Sequence, residues 1–281
     1  MPQDIQIRTM CPMNCHPTLC GMKVTVAGEE LVGISGDKAN PDSRGGLCMR
    51  GKAAHQIVGN PDRLLTPMTR DRRGSTAWRG LSWSAALDRI AARMRAVGPD
   101  AVGLWQGHGN LANDYGVGVK RGQMQRFANL YGCHHWDPGM ICWGLGGFGF
   151  GLTGALETST KEDMGENSAL ILLWGANTVS QANTTPHLER ARRRGARVVV
   201  IDVRRTEAGA LADEALTIRP GSDAALALAM MHVMLRDGLW NREFVDAHCL
   251  GFEALRGHLA DKTPDWAARQ TGLSALRIEA L

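Results

Sequence analysis

Four cysteines near the amino end form the pattern in this 281-residue chain that most directly indicates chemistry: Cys11, Cys15, Cys20 and Cys48. Three of them lie within ten residues, and the fourth lies in a glycine-rich loop that is flexible enough to fold back. Four thiolates on two loops can bind one metal centre. Short cysteine runs with one remote cysteine are typical of iron–sulfur proteins, but a structural zinc site with four thiolates has overlapping spacings. The cysteines favour the cluster and leave zinc open.

A β-hairpin explains how these cysteines could meet. Residues 23–26 and 31–34 are two short runs rich in branched residues, separated by a turn that begins at Gly28. The hairpin would carry the Cys20 loop on one side and the Cys48 loop on the other. We therefore predict that residues 1–60 form a small β-rich module.

From residue 82 the pattern becomes that of an α/β domain. Ser82 or Ser84 can cap a helix over residues 85–94, followed by a buried strand at 101–105 and a second helix at 114–130. Six glycines lie between Gly144 and Gly154. They indicate either a flexible loop or a close approach of the backbone to something bulky.

A βαβ unit follows, and it is the best-defined part of the pattern. It comprises a strand at 168–174, a helix at 186–194 and a strand at 197–202, which predicts a parallel pair with a right-handed crossover. Open α/β sheets bind ligands beyond the carboxyl ends of their strands. Here these ends carry Gly175, Asn177, Asp202, Arg204, Arg205 and Thr206. The first turn lacks three spaced glycines, so NAD binding is disfavoured.

The remaining residues are predicted to be mostly helical. A strand at 217–219 leads into an apolar helix at 224–235, which Ser222 or Asp223 can cap. That cap could be an ordinary one or an anion site. Further helices follow in residues 241–281, and the last, from 273, is expected to run to the end of the chain.

Composition limits the class of protein. With 44% hydrophobic and 21% charged residues the chain is typical of a soluble globular protein, and a net charge of +4 is too small to indicate nucleic-acid binding. No run of 18 apolar residues predicts a membrane span. The amino end lacks a charged start followed by an apolar core, so a cytoplasmic location is expected. In that compartment Cys133 and Cys249, which lie among apolar residues, are expected to be buried structural thiols.

Five features in this order resemble the molybdenum- or tungsten-containing bis-pterin-guanine-dinucleotide oxidoreductases, the superfamily of formate dehydrogenases, nitrate reductases and dimethyl sulfoxide reductase. They are the four cysteines, a cysteine in the glycine-rich region, and the segments at 174–177, 201–206 and 220–226. The resemblance implies an α/β fold. A small β-rich [4Fe–4S] module (1–60) would precede a doubly wound domain with a mainly parallel sheet (61–281). The later domain of the superfamily that binds the second pterin would be absent from this chain.

The same resemblance implies roles for the cysteines. Cys11, Cys15, Cys20 and Cys48 would bind the [4Fe–4S] cluster, with His16 as a remote alternative ligand because one extra residue precedes Cys20. Cys142 would bind molybdenum or tungsten, and its surroundings resemble those in acetylene hydratase, a non-redox relative. Arg50 would lie between cluster and pterin as a catalytic and cofactor-binding cation, a position that Lys52 could also fill.

The guanine dinucleotide would be bound by residues that coincide with predicted strand ends and helix caps. These are Asn110, Trp174, Gly175, Asn177, Asp202, Arg204, Gly221, Ser222 and Asp223. The arginines at 190–194 match no segment of the family and are expected to lie on a solvated helix face.

Three functions follow from the resemblance. The first is a redox enzyme that acts on a small-molecule substrate and exchanges electrons with a partner subunit or carrier. The second is a hydratase, in which Asp137 near Cys142 would activate water. The third is a non-enzymatic electron-transfer or assembly subunit. Catalytic subunits of the superfamily are far longer, so the chain is expected to be a fragment or to be completed by another subunit.

Overall fold

The computed structural model describes residues 4–13, 20–105, 119–136, 143–154 and 159–281, without the side chains of residues 119–121, 143 and 144. The chain forms two compact units, Met1–Ser159 and Thr160–Leu281. The domain boundary that the sequence predicts after residue 60 stays a prediction.

A three-stranded antiparallel sheet begins the first unit. Strand β1 (Ile5–Met10) pairs with β2 (Gly21–Ala27), which pairs with β3 (Glu30–Gly36). The β2–β3 hairpin is the predicted one, and Gly28 makes its turn with a φ of 63°, a left-handed conformation that glycine adopts readily. The sequence analysis did not predict β1.

Behind this sheet lies a small core that joins the cysteine loops to the strands. Cys20, Met22, Val24, Leu47 and Ala54 are buried together, and Cys11 packs against them. Two short helices follow the loop from β3, α1 (Met49–Lys52) and α2 (His55–Val58). The loop and α1 therefore belong to the same packed module as the hairpin.

In the residues that the structure describes, the rest of the first unit consists of short strands and three helices. In chain order these elements are β4 (Met68–Thr69), β5 (Arg79–Gly80), α3 (Trp83–Val97), a 3₁₀ turn (Pro99–Ala101), β6 (Gly103–Trp105), α4 (Val119–Tyr131), β7 (His134–Trp136) and α5 (Trp143–Leu152). Strands β4 and β5 pair antiparallel, and β6 and β7 pair parallel. The predicted cap of α3 is confirmed, because the Ser82 hydroxyl accepts the N–H of Ala85 at 3.1 Å.

Two predictions for this unit are wrong. Of the two interpretations of the glycine-rich region, the flexible loop is wrong, since α5 runs through it. Backbone hydrogen bonds need no side chains, and glycine lowers helix stability by only about 1 kcal/mol per residue. The strand predicted to be buried, β6, is largely exposed, with Trp105 stacked on Trp136 of β7 at 6.3 Å between ring centroids.

The second unit alternates helices and strands before it ends in helices. In order it contains α6 (Lys161–Asn167), β8 (Leu170–Trp174), a 3₁₀ turn (Thr178–Ser180), α7 (Thr185–Arg193), β9 (Arg197–Asp202), a 3₁₀ turn (Glu207–Leu211), β10 (Glu214–Thr217), α8 (Asp223–Arg236), α9 (Arg242–His248), α10 (Phe252–Leu259), α11 (Pro264–Thr271) and α12 (Ala275–Glu279).

Its sheet is parallel, in the order β10–β9–β8, and is covered on both faces. Alternate residues of β9 point to opposite sides: Val198 and Val200 enter the core cluster that contains Leu188 of α7. Val199 and Ile201 enter the cluster that contains Leu226 of α8. A strand buried on both faces needs the continuous apolar run seen here. The predicted doubly wound α/β fold is confirmed.

Several details of the second unit differ from prediction. Strand β10 lies at Glu214–Thr217 rather than 217–219. Helix α12 runs from Ala275 to Glu279 with Ala280 as its C-cap, so it is shorter than the helix predicted from residue 273. Cys249 is exposed rather than buried. It follows the short helix α9, in which no residue is buried.

Candidate functional site

The loops of Cys11 and Cys20 are joined by the backbone itself. The N–H of Cys11 donates to the carbonyl of Cys20 at 2.9 Å, which extends the β1–β2 ladder by one residue beyond Met10 and Gly21. Both residues pack in the core of the module, and Cys20 is buried. The two cysteines are thus held beside each other before any ligand is bound.

The segment of Cys48 approaches Cys11 from the other loop. It precedes the first residue of α1, and one turn later Gly51 lies so close to Cys11 that a Cβ on Gly51 would be 3.4 Å from the Cys11 sulfur. Among the described residues, the three cysteines of the predicted set form no disulfide with one another. The structure therefore brings the start of α1 against the thiol of Cys11.

The surroundings of Cys48 favour a thiolate. Burial raises the pKa of its thiol, but hydrogen bonds from the backbone N–H groups of Gly51 and Arg50 and from the Arg50 side chain outweigh burial. The net result is a lowered pKa. Thiolates are the form that binds metals, so this thiol is prepared for a ligand role. Arg50, the predicted cation, is an exposed residue of α1 beside it.

In the second unit, the predicted nucleotide residues meet at the carboxyl ends of the parallel strands. Trp174, the last residue of β8, donates its Nε1–H to Asp223 Oδ1 at 2.8 Å, which joins this strand end to the first turn of α8. Asn177 donates through Nδ2 to Glu207 Oε2 at 2.6 Å, and Arg204 lies 3.8 Å from the same oxygen. These contacts bring together residues up to 49 positions apart.

Three buried oxygen atoms at this edge have no hydrogen-bond partner among the described residues. They are Oδ1 of Asn177, Oγ1 of Thr178 and Oγ1 of Thr206. Thr178 follows β8 and Thr206 follows β9, so the unsatisfied atoms lie where the sheet ends. Because a buried polar group without a partner is costly, these atoms are suited to bind a polar ligand.

The other predicted residues of this edge have local roles. Asp202 Oδ1 accepts the N–H of Val203 at 2.7 Å and so fixes the turn after β9. Gly175 and Gly221 have positive φ angles of 62° and 80°. The Ser222 hydroxyl donates to the carbonyl of Arg219 at 2.6 Å, so it does not cap α8 as predicted.

Part of the predicted site lies outside the described residues. This applies to Cys15, Asn110 and Cys142, and to the alternatives His16 and Asp137. Within the residues described, no group of three or more His, Cys, Asp or Glu side chains has the geometry of a preformed metal site. Cys11, Cys20 and Cys48 alone therefore do not complete such a site, and the fourth predicted ligand, Cys15, lies outside the described residues.

Two family models match the chain in consecutive segments. Residues 6–60 match the molybdopterin oxidoreductase Fe4S4 domain, and residues 63–245 match molybdopterin oxidoreductase. The chain belongs to the molybdopterin oxidoreductase family. The resemblance inferred from the sequence is confirmed.

Individual relatives agree with this family. Dimethyl sulfoxide reductase DmsA of Escherichia coli (strain K12) is 30% identical over an alignment of 316 positions that covers 97% of this chain and 38% of that protein. Acetylene hydratase of Syntrophotalea acetylenica is 33% identical over 243 residues, which cover 83% of this chain and 32% of the hydratase. The solved structure of acetylene hydratase from Pelobacter acetylenicus matches with a TM-score of 0.73 and 26% identity over 98% of this chain and 38% of that one. The chain spans well under half the length of these relatives.

Family membership implies a [4Fe–4S] cluster and a molybdenum bis-molybdopterin guanine dinucleotide. The residues present fit both groups. Cysteine side chains on two adjoining loops suit the cluster, and the unsatisfied buried oxygens of Asn177, Thr178 and Thr206 suit a polar nucleotide. The assignment of single residues to each group stays a prediction.

The sequence analysis gave no role to Thr178 and Glu207. Each directly follows a predicted segment, Thr178 after Asn177 and Glu207 after Thr206. This proximity in sequence was the signal that could have placed them at the candidate site. Their contacts could not be read from spacing, because the Asn177–Glu207 hydrogen bond joins two different strand ends.

Proposed function

We propose that the chain is the part of a molybdenum- or tungsten-dependent oxidoreductase catalytic subunit that binds the [4Fe–4S] cluster and one guanine dinucleotide. The cofactors, when bound, supply two-electron chemistry on a small-molecule substrate and one-electron transfer to an external carrier. In this proposal Cys11, Cys15, Cys20 and Cys48 bind the cluster and Cys142 binds the metal. An electron-transfer partner is part of the proposal, since electrons that leave the cluster need an acceptor.

One observation carries the proposal: the backbone hydrogen bond between Cys11 and Cys20, with the Cys48 turn against Cys11. It supports a single centre for these thiols rather than separate structural roles. Arg50 would contribute a positive charge beside the Cys48 sulfur, which offsets negative charge on a bound cluster.

At the other site, the strand-end residues would bind and orient the nucleotide. Arg204, which has an exposed guanidinium 3.8 Å from Glu207, would turn to a phosphate in bidentate fashion. The buried hydroxyls of Thr178 and Thr206 would donate to oxygen atoms of the ligand. Asp202 would accept hydrogen bonds from the sugar or the base, and Trp174, Gly175, Asn177, Gly221, Ser222 and Asp223 complete the proposed contacts, with Asn110 from an earlier loop.

Metal analysis of the anaerobically purified full protein tests the proposal. We expect about four iron atoms with acid-labile sulfide per chain, together with molybdenum or tungsten. Cys48→Ala should lose most of the iron. Cys249→Ala, which replaces an exposed cysteine of the second unit, is the matched control and should keep it. One zinc and no iron in the parent protein would refute the proposal.

Hydration is the second candidate, favoured by the 33% identity to acetylene hydratase. In that reaction a carboxylate near the metal would activate water, and Asp137 is the acid closest in sequence to Cys142. Conversion of acetylene by the purified protein without an electron acceptor would support hydration. Substrate turnover that depends strictly on an added acceptor or donor would support the redox function.

A cytoplasmic location also belongs to the proposal. No helix in the described part of the chain is both long and apolar enough to span a membrane. Cell fractionation tests the location, and activity recovered in the periplasmic fraction would contradict it.

A further inference from the structure

The loop that leads to Cys48 is tied to the residue that follows Cys20. The backbone N–H of Gly21 donates to the hydroxyl oxygen of Ser43 at 3.0 Å, and this contact is buried. Ser43 itself is only 2% exposed. It is five residues before Cys48, so one hydroxyl connects the chain segments of two predicted cluster ligands.

Asn40 fixes the orientation of that hydroxyl. Its Oδ1 accepts the Ser43 hydroxyl at 3.1 Å and the Ser43 N–H at 2.8 Å. With its proton directed to Asn40, the Ser43 oxygen presents a lone pair to the N–H of Gly21. The same Asn40 oxygen also accepts the N–H of Asp42 at 3.0 Å, so the turn is closed locally as well.

The position next to Cys20 is shaped to allow this approach. A Cβ on Gly21 would lie 2.5 Å from the Cβ of Asn40, closer than any side chain tolerates. Only glycine lets Asn40 lie against this strand. The connection is therefore a packed contact as well as a set of hydrogen bonds.

Between Ser43 and Cys48 the backbone turns sharply. Arg44 has a φ of 46° and is the one residue other than glycine with positive φ in the part of the chain that the structure describes. Gly45 follows with a φ of 88°, and the N–H of Gly46 donates to the Ser43 carbonyl at 2.6 Å. An arginine in this region is strained, so the turn persists only while its ends are held.

We propose that Asn40 and Ser43 are positioning residues for the iron–sulfur cluster, which set the separation between Cys20 and Cys48. The inference rests on the proposed function, in which these two cysteines bind the cluster. Cys11 and Cys20 are already held by their backbone hydrogen bond. In the described part of the chain Cys48 makes no backbone hydrogen bond to the ladder, and the Asn40–Ser43 contact supplies the connection.

The chain provides a matched control for testing this. Asn60 begins a second Asn-Pro-Asp turn, and its Oδ1 accepts the N–H of Asp62 at 2.9 Å. Asn60 is exposed, and this side-chain hydrogen bond stays within its own turn. Asn60→Ala therefore removes the same local turn contact as Asn40→Ala without touching the segment beside Cys20.

The experiment compares the full protein with Asn40→Ala, Ser43→Ala, Asn40→Asp and Asn60→Ala. It measures iron release to a chelator and the electron paramagnetic resonance spectrum of the reduced cluster. We expect release about tenfold faster in Asn40→Ala and Ser43→Ala, with altered g values. Ser43→Ala leaves the buried N–H of Gly21 without its acceptor, and Asn40→Ala removes the acceptor of the Ser43 hydroxyl and N–H. Asn40→Asp keeps the acceptor oxygen and should behave like the parent, as should Asn60→Ala.

The outcomes separate the possible explanations. If Asn40→Ala and Ser43→Ala lower the melting temperature but leave iron release and the spectrum unchanged, their role is merely structural and the inference is overturned. Equal rates of iron release from Asn40→Asp and Asn40→Ala would also overturn the inference. If the alanine variants do not fold, Asn40→Asp and Asn60→Ala still test the inference. It requires that both release iron at the rate of the parent protein, and faster release from either would overturn it. Absence of iron from the parent protein would instead refute the proposed function.

Discussion

Asp37 shows how a single carboxylate can stabilise the cysteine module. It accepts the N–H of Ala39 at 3.0 Å and the Nε–H of Arg8 at 2.8 Å, and its side chain is 5% exposed. The Ala39 hydrogen bond lowers the pKa of this carboxyl, burial opposes that effect, and Arg8 lowers the pKa further. Asp37 thereby ties β1 to the loop that continues to Ser43 and Cys48.

We predict that Asp37→Asn lowers the melting temperature of the full protein by a few degrees. A carboxyl with a lowered folded-state pKa stabilises the protein above its unfolded-state pKa and loses that contribution only as the pH falls through the folded value. The difference from the parent should therefore be the same at pH 6 and pH 8. Calorimetry at both pH values measures it, and a difference that changes between them would contradict the assignment.

At the scale of elements, β3 and the cysteine loop are in close backbone contact. A Cβ on Gly36 would collide with the backbone carbonyl of Gly45, which no rotamer change can relieve. On the same strand, a Cβ on Gly33 would lie 3.6 Å from Thr25, an ordinary contact. The cysteine loop thus requires a glycine at position 36 but not at position 33.

Gly36→Ala is therefore expected to displace the loop that carries Cys48, at a cost of about 1–3 kcal/mol, and to reduce the iron bound per chain. Gly33→Ala is the matched control and should keep its iron and its melting temperature within a few degrees of the parent. Iron content and thermal unfolding measure both effects. Full iron occupancy in Gly36→Ala would show that the loop can shift without harming the site.

The elements differ in how much of them the sequence could predict. Strands β8 and β9 and the β2–β3 hairpin were predicted because continuous or alternating branched residues carry a local signal. The helix α5 was not, because its glycines conceal the helical period. The Gly21–Ser43 and Asn177–Glu207 contacts were also missed, since they join segments that only the folded chain brings together. Residue types thus indicated the candidate sites, but not the residues that support them.

At the scale of the whole molecule, the described residues of each candidate site lie within one compact unit. The described cysteines of the predicted cluster, Cys11, Cys20 and Cys48, lie in the first unit, and the strand ends from Trp174 to Asp223 lie in the second. The second unit also has a core of its own on both faces of its sheet, around β9. A self-contained core of this kind is the property expected of a unit that folds independently.

We predict that a chain of residues 160–281 alone folds and unfolds cooperatively in urea, since both faces of β9 remain covered by α7 and α8. Within it, Leu188→Ala should lower the free energy of unfolding by about 2–5 kcal/mol, because Leu188 is 0% exposed and leaves a cavity. Leu250→Ala is the control: at 102% exposure it should change stability by less than about 0.5 kcal/mol. Circular dichroism against urea concentration measures both. Broad unfolding with equal effects of the two variants would mean that this unit needs the rest of the protein to pack its core.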